Sequence, residues 1–174
     1  MKIINVNYSS DNSGASIAVK RINEMLNKNG FDSKLLLFNN NDFETISVKI
    51  RKLFNRILKK LIKIIFFIDN EDSINFGLIP SSFLAKINKA KSEIINLHWL
   101  GNEIISIKQI SKINGCVIWT LHDMWPYSGV EHYMNEKNFV KNYVENRNKL
   151  NFFLRFIISS KISYFKNIKL IICT

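Results

Sequence analysis

Short apolar, β-rich runs alternate with helical segments along this chain, and that alternation restricts its fold more than any other feature. The runs are residues 1–8, 33–38, 93–99, 116–121 and 168–174. Each is almost continuously apolar, as parallel strands covered on both faces are. Because parallel neighbours need a crossover connection, the intervening segments are expected to be helices packed on the sheet. The pattern predicts an α/β fold, a doubly wound parallel sheet of Rossmann-like type.

Helical periodicity occupies the intervals between the predicted strands. From Gly14 to Asn29 apolar residues recur on one helical face, and Asn29-Gly30 supplies a stop signal. Further helices are predicted at 83–90, at 103–113 and over most of 136–160. The chain has 174 residues, two prolines and six glycines. That length suffices for one core without an evident linker, so residues 1–174 are expected to form one domain.

A basic amphipathic insertion interrupts the alternation at about 43–68. In KIRKLFNRILKKLIKIIFFI (49–68) an apolar helical stripe faces away from the basic residues, and no acidic residue occurs. Such a helix suits an anionic membrane surface. A helix packed on the core with a solvated basic face is the open alternative. The candidate membrane-binding residues are Lys52, Arg56, Lys59, Lys60 and Lys63.

Net charge and cysteine content restrict the partners and the compartment. The net charge of +11 favours an anionic partner. Nucleic acid is disfavoured, because no basic patch with interleaved aromatic residues accompanies the charge. The two cysteines lie in apolar runs and are expected to be reduced core residues. Neither a signal peptide nor an apolar run of about 18 residues is visible. The expectation is a cytoplasmic protein, peripheral on the inner face of the cell membrane if the basic helix binds lipid.

Polar residues follow three of the predicted strands. They are SSDNSG (9–14), His98-Trp99 and His122-Asp123. In doubly wound sheets ligands bind beyond the carboxyl ends of the strands, so these residues are expected to meet in one site.

Each of the three groups has both a functional and an ordinary interpretation. Residues 9–14 precede a helix, whose free N–H groups can hold a phosphate, but a capped turn is equally compatible. His98 is compatible with a structural histidine. For His122, the neighbouring Asp123 is expected to be able to fix the imidazole tautomer. No metal site is predicted, because no close His-x-His or cysteine pair occurs.

Five stretches of the chain resemble the N-terminal domain of family 4 glycosyltransferases, in the branch that includes colanic-acid-type polysaccharide transferases. They run in order through nearly the whole chain. They are SGASIAVKRINEML (13–26), NGFDSKLLL (29–37), FGLIPSSFL (76–84), IINLHWLGNEIISIKQISKI (94–113) and VIWTLHDMWPYSG…HY (117–133). NLHW and WTLHDMWPYSG are the most specific blocks.

The resemblance implies the N-terminal half of a retaining glycosyltransferase of GT-B architecture. Such an enzyme moves a sugar from a nucleotide-sugar donor to a surface-polysaccharide or lipid-linked glycan acceptor, without a metal or cofactor. The resemblance assigns a catalytic position near the donor sugar to His122 and places Gly14 in a loop facing the cleft. The candidate substrate-binding residues are Ser13, Gly14, His98, Trp99, Asp123, Trp125 and Tyr127.

The chain departs from this family in two places. Val130 and Glu131 replace a glycine and a cysteine, and the cysteine-rich segment that follows in the family is absent or shortened. The family also continues beyond residues 172–174 into a donor-binding domain with an E-x₇-E motif. The 174-residue chain is therefore expected to lack that domain and to be inactive alone. The open alternative is a non-enzymatic remnant or a membrane-surface-binding α/β module.

Overall fold

Five parallel strands form the centre of the molecule. A computed structural model describes residues 1–38, 53–54, 56–58, 60, 74–133, 140, 152–166 and 170–173. The strands are β1 (Lys2–Asn7), β2 (Asp32–Leu37), β3 (Ile94–Leu97), β4 (Cys116–Thr120) and β5 (Leu170–Cys173). Their order in the sheet is β2-β1-β3-β4-β5, and every adjacent pair is parallel. The predicted α/β fold with a parallel Rossmann-like sheet is confirmed.

Four helices are defined in the described part of the chain. They are α1 (Gly14–Lys28), α2 (Phe83–Lys89), α3 (Ile107–Ile110) and α4 (Phe152–Phe165). Ser13 caps α1 through its side chain, and Gly30 takes a positive φ of 81° just after the helix, so both predicted ends of α1 are confirmed. Within the predicted 49–68 helix, residues 53–54, 56–58 and 60 are helical, and the rest lies outside the described residues. Across the described ranges, no helix combines the length and apolarity that a membrane crossing requires.

The helix predicted at 103–113 is wrong in its extent. Only Ile107–Ile110 is α-helical, because Asn102 and Glu103 adopt φ values of 56°, which a right-handed helix cannot contain. Ser106 then starts the helix with a capping box, in which its side chain accepts from the backbone N–H of Gln109. The residues before Ser106 form a loop that carries Glu103 into the interior.

The two faces of the sheet differ in polarity. One face is apolar and packs against α2, α3 and α4. Its buried residues in the central strands are Ile4, Val6, Ile95, Leu97, Val117 and Trp119. Burial of each of these side chains contributes roughly 1.5–3 kcal/mol. The opposite face carries buried amides, of which Asn5 contacts Asn23 and Asn7 contacts Ser16 on α1. The core therefore lies on one side of the sheet, and α1 covers a polar stripe on the other.

The strand order fixes where a ligand crevice forms. The chain proceeds from β1 outward to β2 and then returns to the other side of β1 as β3. In sheets with this order the crevice lies at the carboxyl ends of the two strands where the direction reverses. These are β1 and β3, with β4 directly beside β3.

Candidate functional site

The loops that follow β1, β3 and β4 meet at the carboxyl edge of the sheet. The backbone N–H of Trp99 donates to Asn7 Oδ1 at 3.1 Å, and the N–H of Tyr8 donates to the Trp99 carbonyl at 3.2 Å. His98 and His122 then join the loops after β3 and β4 through their rings. Of the expected convergence, the structure shows the loops after β3 and β4 joined by their histidines and Tyr8, just after β1, bonded to Trp99.

His98 and His122 are hydrogen bonded directly to each other. His98 Nδ1 lies 2.9 Å from His122 Nε2. The ring planes differ by only 23° with centroids 5.2 Å apart, so the rings meet edge to edge and the bond lies in the plane of both. This is the geometry in which the lone pair of one ring nitrogen accepts from the N–H of the other.

His98 is the more tightly held of the two histidines. Its backbone N–H donates to the Val6 carbonyl at 2.9 Å, and its carbonyl accepts from Trp119 Nε1 at 3.2 Å. Asn96 Nδ2 lies 3.0 Å from His98 Nε2. With its backbone and both ring nitrogens bonded, the buried His98 has one fixed orientation and supports His122, which is only partly buried.

Burial keeps both imidazoles uncharged at neutral pH. Desolvation, followed by repulsion from His122, lowers the pKa of His98 to about 4. Desolvation also lowers the pKa of His122, and the nearby Asp123 carboxylate opposes that shift. The pair is therefore a neutral hydrogen-bonding unit near pH 7.

Asp123 does not fix the tautomer of His122, contrary to the expectation from their adjacency. Its Oδ2 is hydrogen bonded to His132 Nδ1, and its Oδ1 accepts from the backbone N–H of Trp125 at 3.0 Å. Both side chains of the Asp123–His132 pair are almost fully buried. Asp123 thus closes the 123–132 loop on itself, and His122 takes its partner from β3 instead.

The aromatic candidates occupy three different environments. Trp125 is only 1% exposed, and its Nε1 donates to the Asn75 carbonyl, so it supports the loop from the core. Tyr127 is 53% exposed at the surface. Trp99 is half-buried and lies flat against Gly101, where an added Cβ would stand 2.1 Å from the indole ring. Of the three, Tyr127 is the most exposed, whereas the ring of Trp99 also contacts Tyr8 and His132.

A buried lysine, which sequence reasoning passed over, clamps the 123–132 loop to α4. Lys161 is 3% exposed, and its ammonium donates to the carbonyls of Trp125, Ser128 and Gly129. The same ammonium lies 4.4 Å from the centre of the Trp125 ring. Lys161 is the one lysine in α4, a helix of mostly apolar residues, and this was the available signal.

A second buried charge holds the loop before α3. Glu103 is fully buried, and its carboxylate accepts from the backbone N–H groups of Phe76 and Gly77. Its own N–H donates to Asn75 Oδ1 at 3.2 Å. The positive φ at Glu103 is what turns this carboxylate inward. Sequence reasoning placed Glu103 on a helix and missed this role.

The loop after β1 is closed by its own side chains. The Asp11 carboxylate accepts from Ser13 N at 3.1 Å and from the hydroxyls of Ser13 and Ser16 at 2.6 and 2.8 Å. These bonds hold the pKa of Asp11 well below its usual range. Ser13 and Gly14 are exposed, and an added Cβ at Gly14 would meet nothing within 4 Å. The Asp11 carboxylate thus occupies the start of α1, the position at which the sequence suggested that a phosphate could bind.

The candidate membrane-binding residues are only partly within the described range. Arg56 and Lys60 are exposed, whereas Lys52, Lys59 and Lys63 lie outside the described residues. Around them Leu53, Phe54 and Ile57 are 54%, 55% and 49% exposed.

Comparison of the chain with protein-family models and with curated proteins found no match. Nor do three or more His, Cys, Asp or Glu side chains gather into a metal-binding group in the ranges that the structure describes. The fold and the site together define an α/β protein with a pair of hydrogen-bonded histidines at the carboxyl edge of a parallel sheet.

Proposed function

We propose that the chain is the acceptor-side domain of a retaining family 4 type glycosyltransferase. The observation that carries the proposal is the bond between His98 and His122. His98 belongs to NLHW and His122 to WTLHDMWPYSG, the two most specific blocks of the resemblance. These blocks are separate in sequence, yet their histidines meet at the edge of the sheet where this fold binds ligands.

The chemistry of the site fits sugar transfer. A neutral imidazole can donate a hydrogen bond to a sugar hydroxyl without placing a charge beside the reacting centre. Because His98 and the sheet hold His122 in place, little reorganisation is needed when the ligand arrives. In the proposed enzyme a separate domain binds the nucleotide-sugar, and the acceptor is a surface-polysaccharide or lipid-linked glycan.

Acceptor binding and sugar transfer by the isolated chain test this proposal together. We expect a panel of hexose and N-acetylhexosamine diphospholipids with shortened lipids to shift the NMR signals of His98, Trp99 and His122. Nucleotide-sugars should leave them unchanged, and no sugar should be transferred. Robust transfer by the 174-residue chain alone would overturn the division into two domains. Binding of nucleotide-sugars in preference to glycans would overturn the acceptor-side assignment.

A membrane-surface-binding module is the second candidate, and the exposure of the basic insertion favours it. A helix packed on the core buries its apolar stripe. Here Leu58 packs against the core, but Leu53, Phe54 and Ile57 remain about half exposed. Arg56 and Lys60 are exposed on the same segment. Apolar and basic side chains that face solvent together suit an anionic lipid surface. This role is compatible with the first, because it would bring the domain to a lipid-linked acceptor.

Replacing Arg56 and Lys60 with glutamine should weaken binding to vesicles that contain anionic lipid. Each basic residue near such a surface contributes about 1 kcal/mol, so the double variant should lose roughly 30-fold in partitioning. Vesicle co-sedimentation at low and high salt measures this, and salt should weaken wild-type binding.

The matched control changes two exposed lysines away from the insertion, Lys108 and Lys112, to glutamine. This variant loses the same charge and should bind almost as wild type does. Equal loss in both variants would show a general charge effect, and equal binding to uncharged vesicles would contradict the electrostatic explanation.

A further inference from the structure

A chain of hydrogen bonds runs from Thr120 on β4 through Asn96 on β3 and His98 to the ring of His122. Thr120 Oγ1 donates to Asn96 Oδ1 at 3.0 Å. Asn96 Nδ2 reaches His98 Nε2 at 3.0 Å, and His98 Nδ1 reaches His122 Nε2 at 2.9 Å. Among the described residues, none is hydrogen bonded to the remaining ring nitrogen, Nδ1 of His122.

The Asn96 amide has one orientation because it is also bonded to the side chain of Asn5. Asn96 Nδ2 also donates to Asn5 Oδ1 at 3.0 Å, directly across the parallel register. Asn5 uses its own Nδ2 to donate to Ser33 Oγ at 2.9 Å, which leaves its oxygen toward Asn96. An inverted Asn96 amide would set two carbonyl oxygens against each other in a buried position.

This orientation decides where the protons of both histidines lie. Because Asn96 donates, His98 Nε2 must be an unprotonated acceptor. The proton of a neutral His98 is then on Nδ1 and is donated to His122 Nε2. His122 Nε2 therefore carries no proton, and a neutral His122 has its proton on Nδ1.

We infer that Asn96 and His98 are positioning residues that fix His122 in its Nδ1–H tautomer, so that the one hydrogen-bond donor this ring leaves for a ligand is Nδ1–H. The ligand group that fits this donor is an oxygen acceptor, as in a hydroxyl, a carboxylate or a phosphate. The tautomer follows from the hydrogen bonds alone. That the acceptor is a glycan hydroxyl rests on the proposed function.

Imidazole nitrogen NMR measures the tautomers directly in the unmodified chain. Only three histidines are present, so their ring signals can be assigned without ambiguity. At pH 7.5 we expect His98 and His122 each to show a protonated Nδ1 and an unprotonated Nε2. A protonated Nε2 on His122 would overturn the inference, whether or not the protein acts on glycans.

A near-isosteric variant tests whether Asn96 sets the tautomers of the two histidines. In Asn96→Asp the new carboxylate can only accept, so His98 should carry its proton on Nε2 and accept from His122 through Nδ1. The proton of His122 should then move from Nδ1 to Nε2. Asn114→Asp adds the same charge at an exposed position and should change neither histidine. Unchanged tautomers in folded Asn96→Asp would show that Asn96 does not set them. Should that variant not fold, the wild-type spectrum alone decides the tautomer assignment.

Discussion

Replacing Lys161 with methionine is expected to lower the free energy of unfolding by about 1–3 kcal/mol, the cost typical of leaving a buried hydrogen-bonding group without its partner. Methionine preserves most of the volume but donates no hydrogen bond. The carbonyls of Trp125, Ser128 and Gly129 lose their buried donor in this variant. Urea unfolding of both proteins measures the difference.

Lys166→Met is the matched control for this prediction. Lys166 follows the last turn of α4 and is exposed, so the variant has the same chemical change without the buried contacts. We expect a change within about 0.5 kcal/mol there. Equal effects of the two substitutions would mean that the bonds from Lys161 to the 123–132 loop contribute nothing to the free energy of unfolding.

The effect of Lys161 should depend on pH in a defined direction. Burial lowers the pKa of the Lys161 ammonium from 10.5 to about 7, against the attraction of Glu131, Asp123 and Glu103. Between these two values the unfolded chain holds a proton that the folded chain has released, so stability rises with pH. Lys161→Met lacks this contribution. The difference in the free energy of unfolding between wild type and variant should therefore grow from pH 7 to pH 10. A difference that shrinks over this range would contradict the lowered pKa of Lys161.

The strands and α1 were predictable because their signals are local. Apolar runs of strand length alternate with helical periodicity, and Ser13 and Gly30 mark the ends of α1 within the sequence itself. The length of α3 was not predictable in the same way. Glu103 is drawn inward by backbone N–H groups of Phe76 and Gly77, and no periodicity in residues 103–113 records a partner so far away in sequence.

The partners inside the site were the least predictable feature. Asp123 follows His122 directly, but the two side chains have different partners: Asp123 bonds to His132, and His122 bonds to His98. The buried amides did leave a signal. Asn5, Asn7 and Asn96 recur at alternate positions in otherwise apolar strands, which is typical of one polar face on a sheet. Treating these strands as continuously apolar overlooked their buried amides, including Asn96, whose side chain bonds to His98.

His122→Ala should reduce turnover by about 10²-fold or more in an enzyme that joins this domain to a donor-binding domain. The physical reason is the loss of a donor that the sheet and His98 hold in place before the ligand arrives. If His122 has only a structural role, specific activity should be unchanged while the melting temperature falls. Turnover and melting temperature measured on the same variant separate these outcomes.

Two amide variants identify which ring nitrogen of His122 binds the ligand. The side-chain nitrogen of asparagine can lie near the position of Nδ1, whereas that of glutamine can reach the position of Nε2. Because Nε2 of His122 is already bonded to His98, Nδ1 is the ring nitrogen left for a ligand. His122→Asn should therefore retain more turnover than His122→Gln, at comparable melting temperatures. Higher activity in the glutamine variant would mean that the ligand is bound through Nε2, and that the bond between the two histidines must break before the enzyme can act.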